Sequence, residues 1–409
     1  MARLLFLAHR IPYPPNKGDK IRSWNILSHL VRDHEVSLGC FVDDAEDLAH
    51  VGRLKEICQD VYVERIHAQS AKLRSLTGLA TGEALSVRYY RSPGMRRWVA
   101  GLLASGEVDA VIGFSSAMAQ FVMPWADDYR FIMDFVDVDS DKWRQYSAAK
   151  PWPMSWLYGR EARRLLAYEK RVAQAAEASL LVSPDEVALF KSLAPGLDDK
   201  ILCMQNGVDS AFFDPSLAFD RPFPGKGPVV TFTGAMDYWA NVEAVVWFAD
   251  TAWPAVRKGA PSAEFWIVGG KPAAEVSKLA DRPGIVVAGR VPDVRPYIAH
   301  ADAIIAPMRT ARGVQNKVLE GMAMARPVLA TSMGYEGLSA EIGSELVVAD
   351  LAEEFSAALL QILKSESANH MGKRARARIL SDYAWSAQLG VLDRIISEED
   401  GRNSKPRAG

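Results

Sequence analysis

Short, unbroken apolar runs alternate with longer segments of helical periodicity from one end of the chain to the other, and this alternation limits the fold more than any other feature. "LLFLA", "EVSLGCFV", "VYVERI", "DAVIGF", "RFIMDF", "SLLVS" and "KILCMQ" lie in the first half; "VVTFTG", "EFWIVG", "GIVVAG", "DAIIAP", "PVLAT" and "ELVVAD" lie in the second. A run that is apolar at every position reads as a strand covered on both faces, the setting of a parallel sheet wrapped by helices. The alternation predicts α/β architecture, with strands enough for two sheets. At 409 residues the chain also exceeds the range over which one hydrophobic core keeps growing. Two α/β domains are the expected arrangement.

The best linker is "NGVDSAFFDPSLAFDRPFPGKGP", residues 206–228, with four prolines and three glycines. It places a boundary near Phe213, giving domains at 1–212 and 213–380, a final helix at 381–398 and a polar tail at 399–409. In "DKIRSWNILSHLV" the apolar residues Ile21, Trp24, Leu27 and Val31 recur at helical spacing, with Asp19 suited to cap the start. "NVEAVVWFADTAWPAV" repeats the pattern after "VVTFTG", with Asn241 at the cap position.

A formal net charge of -2 gives no overall attraction to nucleic acid. The three cysteines are far apart and the seven histidines scattered, so no metal is expected, and a reducing compartment fits. The apolar run Leu4 to Ala8 is too short for a signal peptide, and nothing approaches a membrane span. The expected location is cytoplasmic, with contact at the inner face of the membrane left open.

Ligands of doubly wound domains gather at the carboxyl ends of strands. In the first half that edge includes "HRIPYPPNKGDKIR", with Lys17, Asp19 and Arg22 near the helix start and no G-x-G-x-x-G for a dinucleotide. The competing reading is a capped, solvated first turn. "FVDVDSDKW" then offers Asp137 among several carboxylates, suited to a metal, to acid/base work or to orienting an acceptor hydroxyl. Asp139 or Asp141 would otherwise cap the next helix. "KPWPMSWLYGREARRLLAYEKR" places Trp152, Trp156 and Tyr158 ahead of a basic helix, with six basic and two acidic residues from Lys150 to Arg171. That suits an anionic membrane surface, as does the segment around Trp98, against the plainer reading of a helix with its apolar face in the core.

In the second half, "FTGAMDYWAN" follows a strand and precedes a helix, so the backbone at Gly234 and Ala235 can approach a ligand closely, with Met236 and Asn241 nearby. "IVGG" ends the next strand at Gly269, and "AGRVPDVRPYI" puts Arg290 and Val291 at another strand end. "IIAPMRTARGVQNKVLEGMAMARPVLAT" supplies Arg309, Arg312, Gly313, Asn316, Lys317 and Glu320. Consecutive glycine-marked strand ends and a cationic helix start point to a nucleoside diphosphate. The plainer reading of Lys317 and Glu320 is a solvent-facing pair across one turn.

The order of "VSPDE", "NGVD", "FTGAMDYWAN", "IVGG", "GRVPDVRPYI" and "GVQNKVLEGMAMARPVLAT" resembles the GT-B glycosyltransferases of family 4. "LAHRIPYPPNKGDKIRSWNIL" and "FVDVDSDKW" extend the resemblance to the sugar transferases associated with exosortase/PEP-CTERM exopolysaccharide clusters. The resemblance implies two Rossmann-like doubly wound domains facing a central cleft, with a C-terminal helix crossing back to the N-terminal domain. It implies a nucleotide sugar bound by the C-terminal domain, an acceptor bound by the N-terminal one, and metal-independent transfer with retention. Glu320 matches the second glutamate of the E-x7-E motif, which holds the ribose. Lys317 is placed for the diphosphate with the amides of Gly313 and Val314, and Arg290 and Val291 match the strand end whose main chain meets the base. Gly18 matches the glycine loop, and Arg22 the basic residue after it. Arg312 stands where the first glutamate would fall, and the arginine and lysine usual after "FTG" are absent. Their charge falls to Lys317 with Arg309 or Arg312. Ser115 and Ser116 stand where the fourth strand often ends in histidine.

The function these readings imply is transfer of a sugar from a nucleoside-diphosphate sugar to a lipid-linked saccharide in exopolysaccharide synthesis. Lys317, Glu320 and Asp137 are the candidate catalytic residues, and no cofactor beyond the co-substrate is called for. The rivals are an epimerase on the same fold and a catalytically silent sugar-nucleotide scaffold.

Overall fold

A computed structural model describes residues 1–15, 18–311, 313–365 and 367–397. Lys17, Arg312 and the tail from 398 lie outside them, and with them the roles expected of those positions. Each of the thirteen apolar runs contains a strand. In the first half these are β1 (Arg3–Ala8), β2 (Glu35–Val42), β3 (Asp60–Arg65), β4 (Ala110–Phe114), β5 (Arg130–Val136), β6 (Ala178–Leu181) and β7 (Ile201–Cys203). In the second they are β8 (Val229–Thr233), β9 (Glu264–Val268), β10 (Ile285–Gly289), β11 (Ala303–Ala306), β12 (Val328–Ala330) and β13 (Val347–Val348). The helices that bear on function are α1 (Gly18–Asp33), α2 (Ala68–Ser75), α3 (Gly78–Thr81), α4 (Leu85–Tyr89), α5 (Pro93–Ala104), α6 (Asp139–Ala149) and α7 (Met154–Ala175). After the linker come α8 (Trp239–Trp247), α9 (Asn316–Ala323) and α10 (Trp385–Ser397).

The first sheet runs β3-β2-β1-β4-β5-β6-β7 and the second β10-β9-β8-β11-β12-β13. Every strand pair described within them is parallel, Leu4 of β1 facing Val36 of β2 and Ala110 of β4. In each sheet the order reverses beside its first strand, between β1 and β4 and between β8 and β11, and that switch point opens a crevice at the carboxyl ends. Strands buried from end to end, such as β4, β8 and β11, carry the cores. Leu5, Leu7, Met133, Phe135, Val172 and Phe190 pack in the first unit; Phe232, Phe248, Phe265, Ile304, Leu319 and Leu329 pack in the second.

The compact units are Met1–Gln205 with Leu389 onward, and Asn206–Gln388. The chain changes unit at 205/206 and 388/389, where the sequence reading placed boundaries at 212/213 and 380/381. Asn206 to Phe213 goes with the second unit, because Val208 pairs with Ala384 and Phe213 is buried in that core. α10 begins in the second unit and ends in the first, where Arg130 donates to the carbonyl of Ile396 at 3.0 Å and His29 meets Asp393 at 2.6 Å.

Three cap assignments are corrected. α1 begins before Asp19, which lies in its first turn and pairs with Arg10 and His9. α8 begins two residues before Asn241, and its cap position, Tyr238, makes no side-chain cap. α6 starts from Val138, so Asp139 and Asp141 lie inside its first turn, where carboxylates favour the helix dipole without capping. The segment around Trp98 is not a free membrane face: the indole stacks on Tyr62 at 5.4 Å, donates to Asp60 and packs on the first core.

Candidate functional site

At the switch point of the second sheet, β8 ends at Thr233 and the chain turns through Gly234, whose φ of 154° favours glycine. Gly234 N donates to the carbonyl of Val268 at 3.1 Å and Met236 N to that of Gly270 at 3.0 Å, so this turn is laced to the end of β9. The two backbones approach so closely that a Cβ on Gly269 would lie 1.6 Å from the Gly234 carbonyl oxygen. Asn241 reaches back from α8 and donates to Ala235 O at 2.9 Å, holding the turn from its other side. Gly269 and Asn241 thus shape the turn itself.

Across the switch point, β11 leads to Met308, whose carbonyl accepts from the Thr331 hydroxyl at 2.6 Å. The loop then enters α9, which buries Val318, Leu319, Met322 and Ala323. That amphipathic face carries Lys317 inward: it is 8% exposed. Its ammonium lies 3.2 Å from Gln315 Oε1, 3.8 Å from Met308 Sδ and 5.1 Å from the centre of the Phe232 ring. Lys317 is therefore not half of a solvent-facing pair. Burial lowers its pKa to about 8, against the pull of Glu320. Glu320, partly buried one turn on, has its pKa raised to about 7 by burial, opposed by Lys317 and by a hydrogen bond from the Thr233 hydroxyl. Thr233, itself buried, was not singled out in the sequence, although it is the last residue of a recognised strand.

Around this pair the expected residues divide. Gly313 and Val314 lie in the loop before α9, and Gly313 has φ 65°. Asn316 is the first residue of the helix. Arg290 is exposed beside Gly270, and the Val291 side chain packs on the cluster of Phe223, Trp266 and Val268, leaving its main chain at the strand end. Arg309 donates to Asp350 O at 3.0 Å and lies over the Trp247 ring at 4.8 Å, so its guanidinium is already engaged.

The carboxyl edge of the first sheet gathers different groups. His9, just past β1, stacks on Phe114 at 5.6 Å and meets Tyr90 edge-on. Its Nε2 lies 3.4 Å from Asp19, which Arg10 also binds, and Arg10 reaches Asp43 at 2.9 Å. Burial works to raise the Asp19 pKa, but the His9 hydrogen bond and the Arg10 charge hold it well below the usual carboxylate range. Ser115 follows β4 with φ 74°, and Val136 ends β5 with φ 69°. Left-handed backbone at a serine and a β-branched residue stores strain of about 1–3 kcal/mol each, and such strain clusters at functional sites. Ser116 is buried, and a side chain added at Gly18 would meet open space.

Arg22 does not suit its expected place at the acceptor edge. It is 1% exposed and binds Asp134, 0% exposed, through Nε at 2.8 Å and Nη2 at 3.1 Å. Asp134 also accepts from Val136 N at 3.0 Å, so the pair anchors the strained end of β5 rather than facing a ligand. Asp137 is held by Lys142 at 2.7 Å, and Lys142 also binds Asp139 at 3.1 Å. Among the described residues, no group of three or more His, Cys, Asp and Glu side chains is placed to hold a metal.

Residues 227–365 match the family model described as glycosyl transferases group 1. Nearly the whole chain also superposes on solved glycosyltransferases. HepE of Anabaena, in complex with UDP and glucose, aligns with a TM-score of 0.66 at 14% identity, over 98% of this chain and 100% of its own. Sucrose-phosphate synthase from Thermosynechococcus elongatus gives 0.68 at 16%, over 96% and 98%. WaaG, a glycosyltransferase involved in lipopolysaccharide biosynthesis, gives 0.66 at 16%, over 97% and 100%. No curated protein sequence matches the chain. The fold is the two-domain α/β architecture of the GT-B class. With a group 1 domain in its second unit, the chain is a glycosyltransferase.

Proposed function

We propose that this enzyme is a metal-independent, retaining glycosyltransferase of family 4, of the exosortase/PEP-CTERM-associated kind. It moves a sugar from a nucleoside-diphosphate sugar to a lipid-linked saccharide during exopolysaccharide assembly, in the cytoplasm at the inner face of the membrane. The observation that carries the reading is the pair of buried Lys317 and partly buried Glu320 at the switch point of the second sheet.

Transfer from such a donor expels a diphosphate, and charge developing on the leaving group is the largest barrier term that fixed groups can lower. Lys317 sits where an ammonium would face that diphosphate, with the amides of Gly313 and Val314 at the start of α9 as further donors. Glu320, steadied by Thr233, would accept from ribose hydroxyls. The main chain at Arg290 and Val291 would meet the base. Gly18, Asp19 and Ser115 line the edge assigned to the acceptor, with Asp137 orienting a hydroxyl once Lys142 shares it. UDP is the first nucleotide to test, because neighbours of the same fold hold it.

Purified protein titrated with UDP, GDP, ADP and their sugar conjugates, with chelator present, should gain thermal stability selectively with one nucleotide. Lys317→Ala should remove that gain and abolish transfer while the protein stays folded. No stabilisation by any nucleotide, with or without magnesium, would falsify the donor site. Binding with neither transfer nor slow hydrolysis would favour the silent scaffold instead.

A further inference from the structure

The first unit carries an apolar surface that its own core does not use. Leu73, Leu76 and Leu79, on and between α2 and α3, are exposed. So are Tyr146, near the end of α6, and Trp152 and Trp156, around the start of α7, the two indoles at 79% and 56%. These two stretches are neighbours. Arg160, one turn along α7 from Trp156, donates to the carbonyls of Gly78 and Glu83, and Gly82 lies beside Arg164. The buried side of α7, at Ala162, Leu165 and Val172, faces the other way.

The charge of these two stretches is mainly positive, with Arg144 paired to Asp141 and with Glu83, just beyond α3, paired to Arg88 and Arg91. Residues 68–81 and 143–164 contain seven lysines and arginines and one acidic residue, Glu161. Glu161 is buried and accepts from the amides of Leu85 and Ser86 at the start of α4, so it adds no negative charge to the surface. Exposed indoles beside the exposed cations Lys72, Lys150, Arg163 and Arg164 match the two layers of an anionic bilayer's edge: Trp favours headgroup depth, and Lys and Arg the phosphates. Large apolar side chains exposed together on neighbouring segments of a folded protein, with charge beside them, mark an interaction surface.

We propose that this face, built jointly by the α2–α3 stretch and the α6–α7 corner, docks on an anionic lipid bilayer with Trp152 and Trp156 at headgroup depth. Lys72, Lys150, Arg163 and Arg164 then lie against the phosphates. The inference deepens the membrane clause of the proposed function. Its test needs neither donor nor acceptor, so failure here leaves the transferase reading standing, and failure of the nucleotide titration leaves this one standing.

The full chain is floated with vesicles of phosphatidylcholine alone and with vesicles of phosphatidylcholine and phosphatidylglycerol in equal parts. Binding is expected to the anionic vesicles only, and to fall as salt is raised. Lys72→Gln, Lys150→Gln and Arg164→Gln together should weaken it by about fivefold for each charge removed. Trp152→Ala with Trp156→Ala should weaken it further at unchanged thermal midpoint. The proposal is overturned by no binding to anionic vesicles, by equal binding to both kinds, or by variants that bind as the parent does. A concentration-dependent dimer that the tryptophan substitutions dissolve would also overturn it, by assigning the face to a second copy of the chain.

Discussion

At Lys317, burial opposes the charged form, so the ammonium has a pKa of about 8 rather than the 10.5 of free lysine. A diphosphate beside it would favour the charged form and draw in a proton. Nucleotide affinity should therefore fall as pH rises above about 8, and calorimetry near that pH in buffers of different ionisation heat should register proton uptake on binding. Affinity flat across that range would remove Lys317 from the diphosphate. A second buried group gives a cleaner stability test. Glu169 on α7 has its pKa raised to about 8, by burial first and by Asp139, against a hydrogen bond from the Ser140 amide. Its Oε2 is buried with no hydrogen-bond partner. The folded state holds this proton up to a higher pH than the unfolded chain, whose glutamate titrates near 4.5. The stability it contributes is full below that value and is lost as pH rises through about 8. Glu169→Gln should thus melt above the parent near pH 9 and lose the parent's decline between about pH 5 and 8. Parallel melting curves for the two proteins would contradict this. Neither shift is legible in the sequence, because burial of one side chain depends on which face of a helix meets which sheet.

Strands were legible where helix ends were not. An apolar run declares burial on both faces whatever its partners are, so all thirteen strands and both parallel sheets follow from composition within a few residues. Asp19 and Asn241 look like caps because that choice is local, yet each is taken up by a more distant partner: Arg10 and His9 for one, the Ala235 carbonyl for the other. Arg22 misleads for the same reason, since Asp134 lies 112 residues away in sequence. The turn after β8 shows what glycines at strand ends do. Gly269→Ala would press a Cβ against the Gly234 carbonyl and splay the ends of β8 and β9, at a cost of about 1–3 kcal/mol. Gly18→Ala, by contrast, meets open space and should change stability by less than about 0.5 kcal/mol. Thermal melts of the two variants should separate them. If Gly18 lines the acceptor edge as proposed, its variant should also show a raised acceptor KM with nucleotide affinity unchanged, whereas an unaltered KM would free that glycine of any part in acceptor binding.

On the scale of the whole molecule, α10 is the element that the second unit hands to the first. The sequence announces a last amphipathic helix but cannot say which core it joins. The structure assigns Leu389 onward to the first unit. Leu389, Leu392 and Ile395 are buried there, and Arg130, itself paired with Glu177 at 2.7 Å, holds the carbonyls of Ile395 and Ile396. The second unit keeps its own closing contacts upstream, at Val208 with Ala384 and at Tyr383, whose hydroxyl accepts from Ser339 N at 2.7 Å. A chain ending at Gln388 should therefore damage one unit and spare the other. Losing the burial of these three large aliphatic side chains removes about 5 kcal/mol from the first unit. For a domain of this size that lowers its melting by roughly 10 °C. Calorimetry should resolve a first-unit transition displaced downward beside a second-unit transition left in place, and the nucleotide that stabilises the full chain should still shift the latter. Two transitions falling together would mean that α10 stabilises both units, and no displacement would mean that the first unit closes its core without the helix.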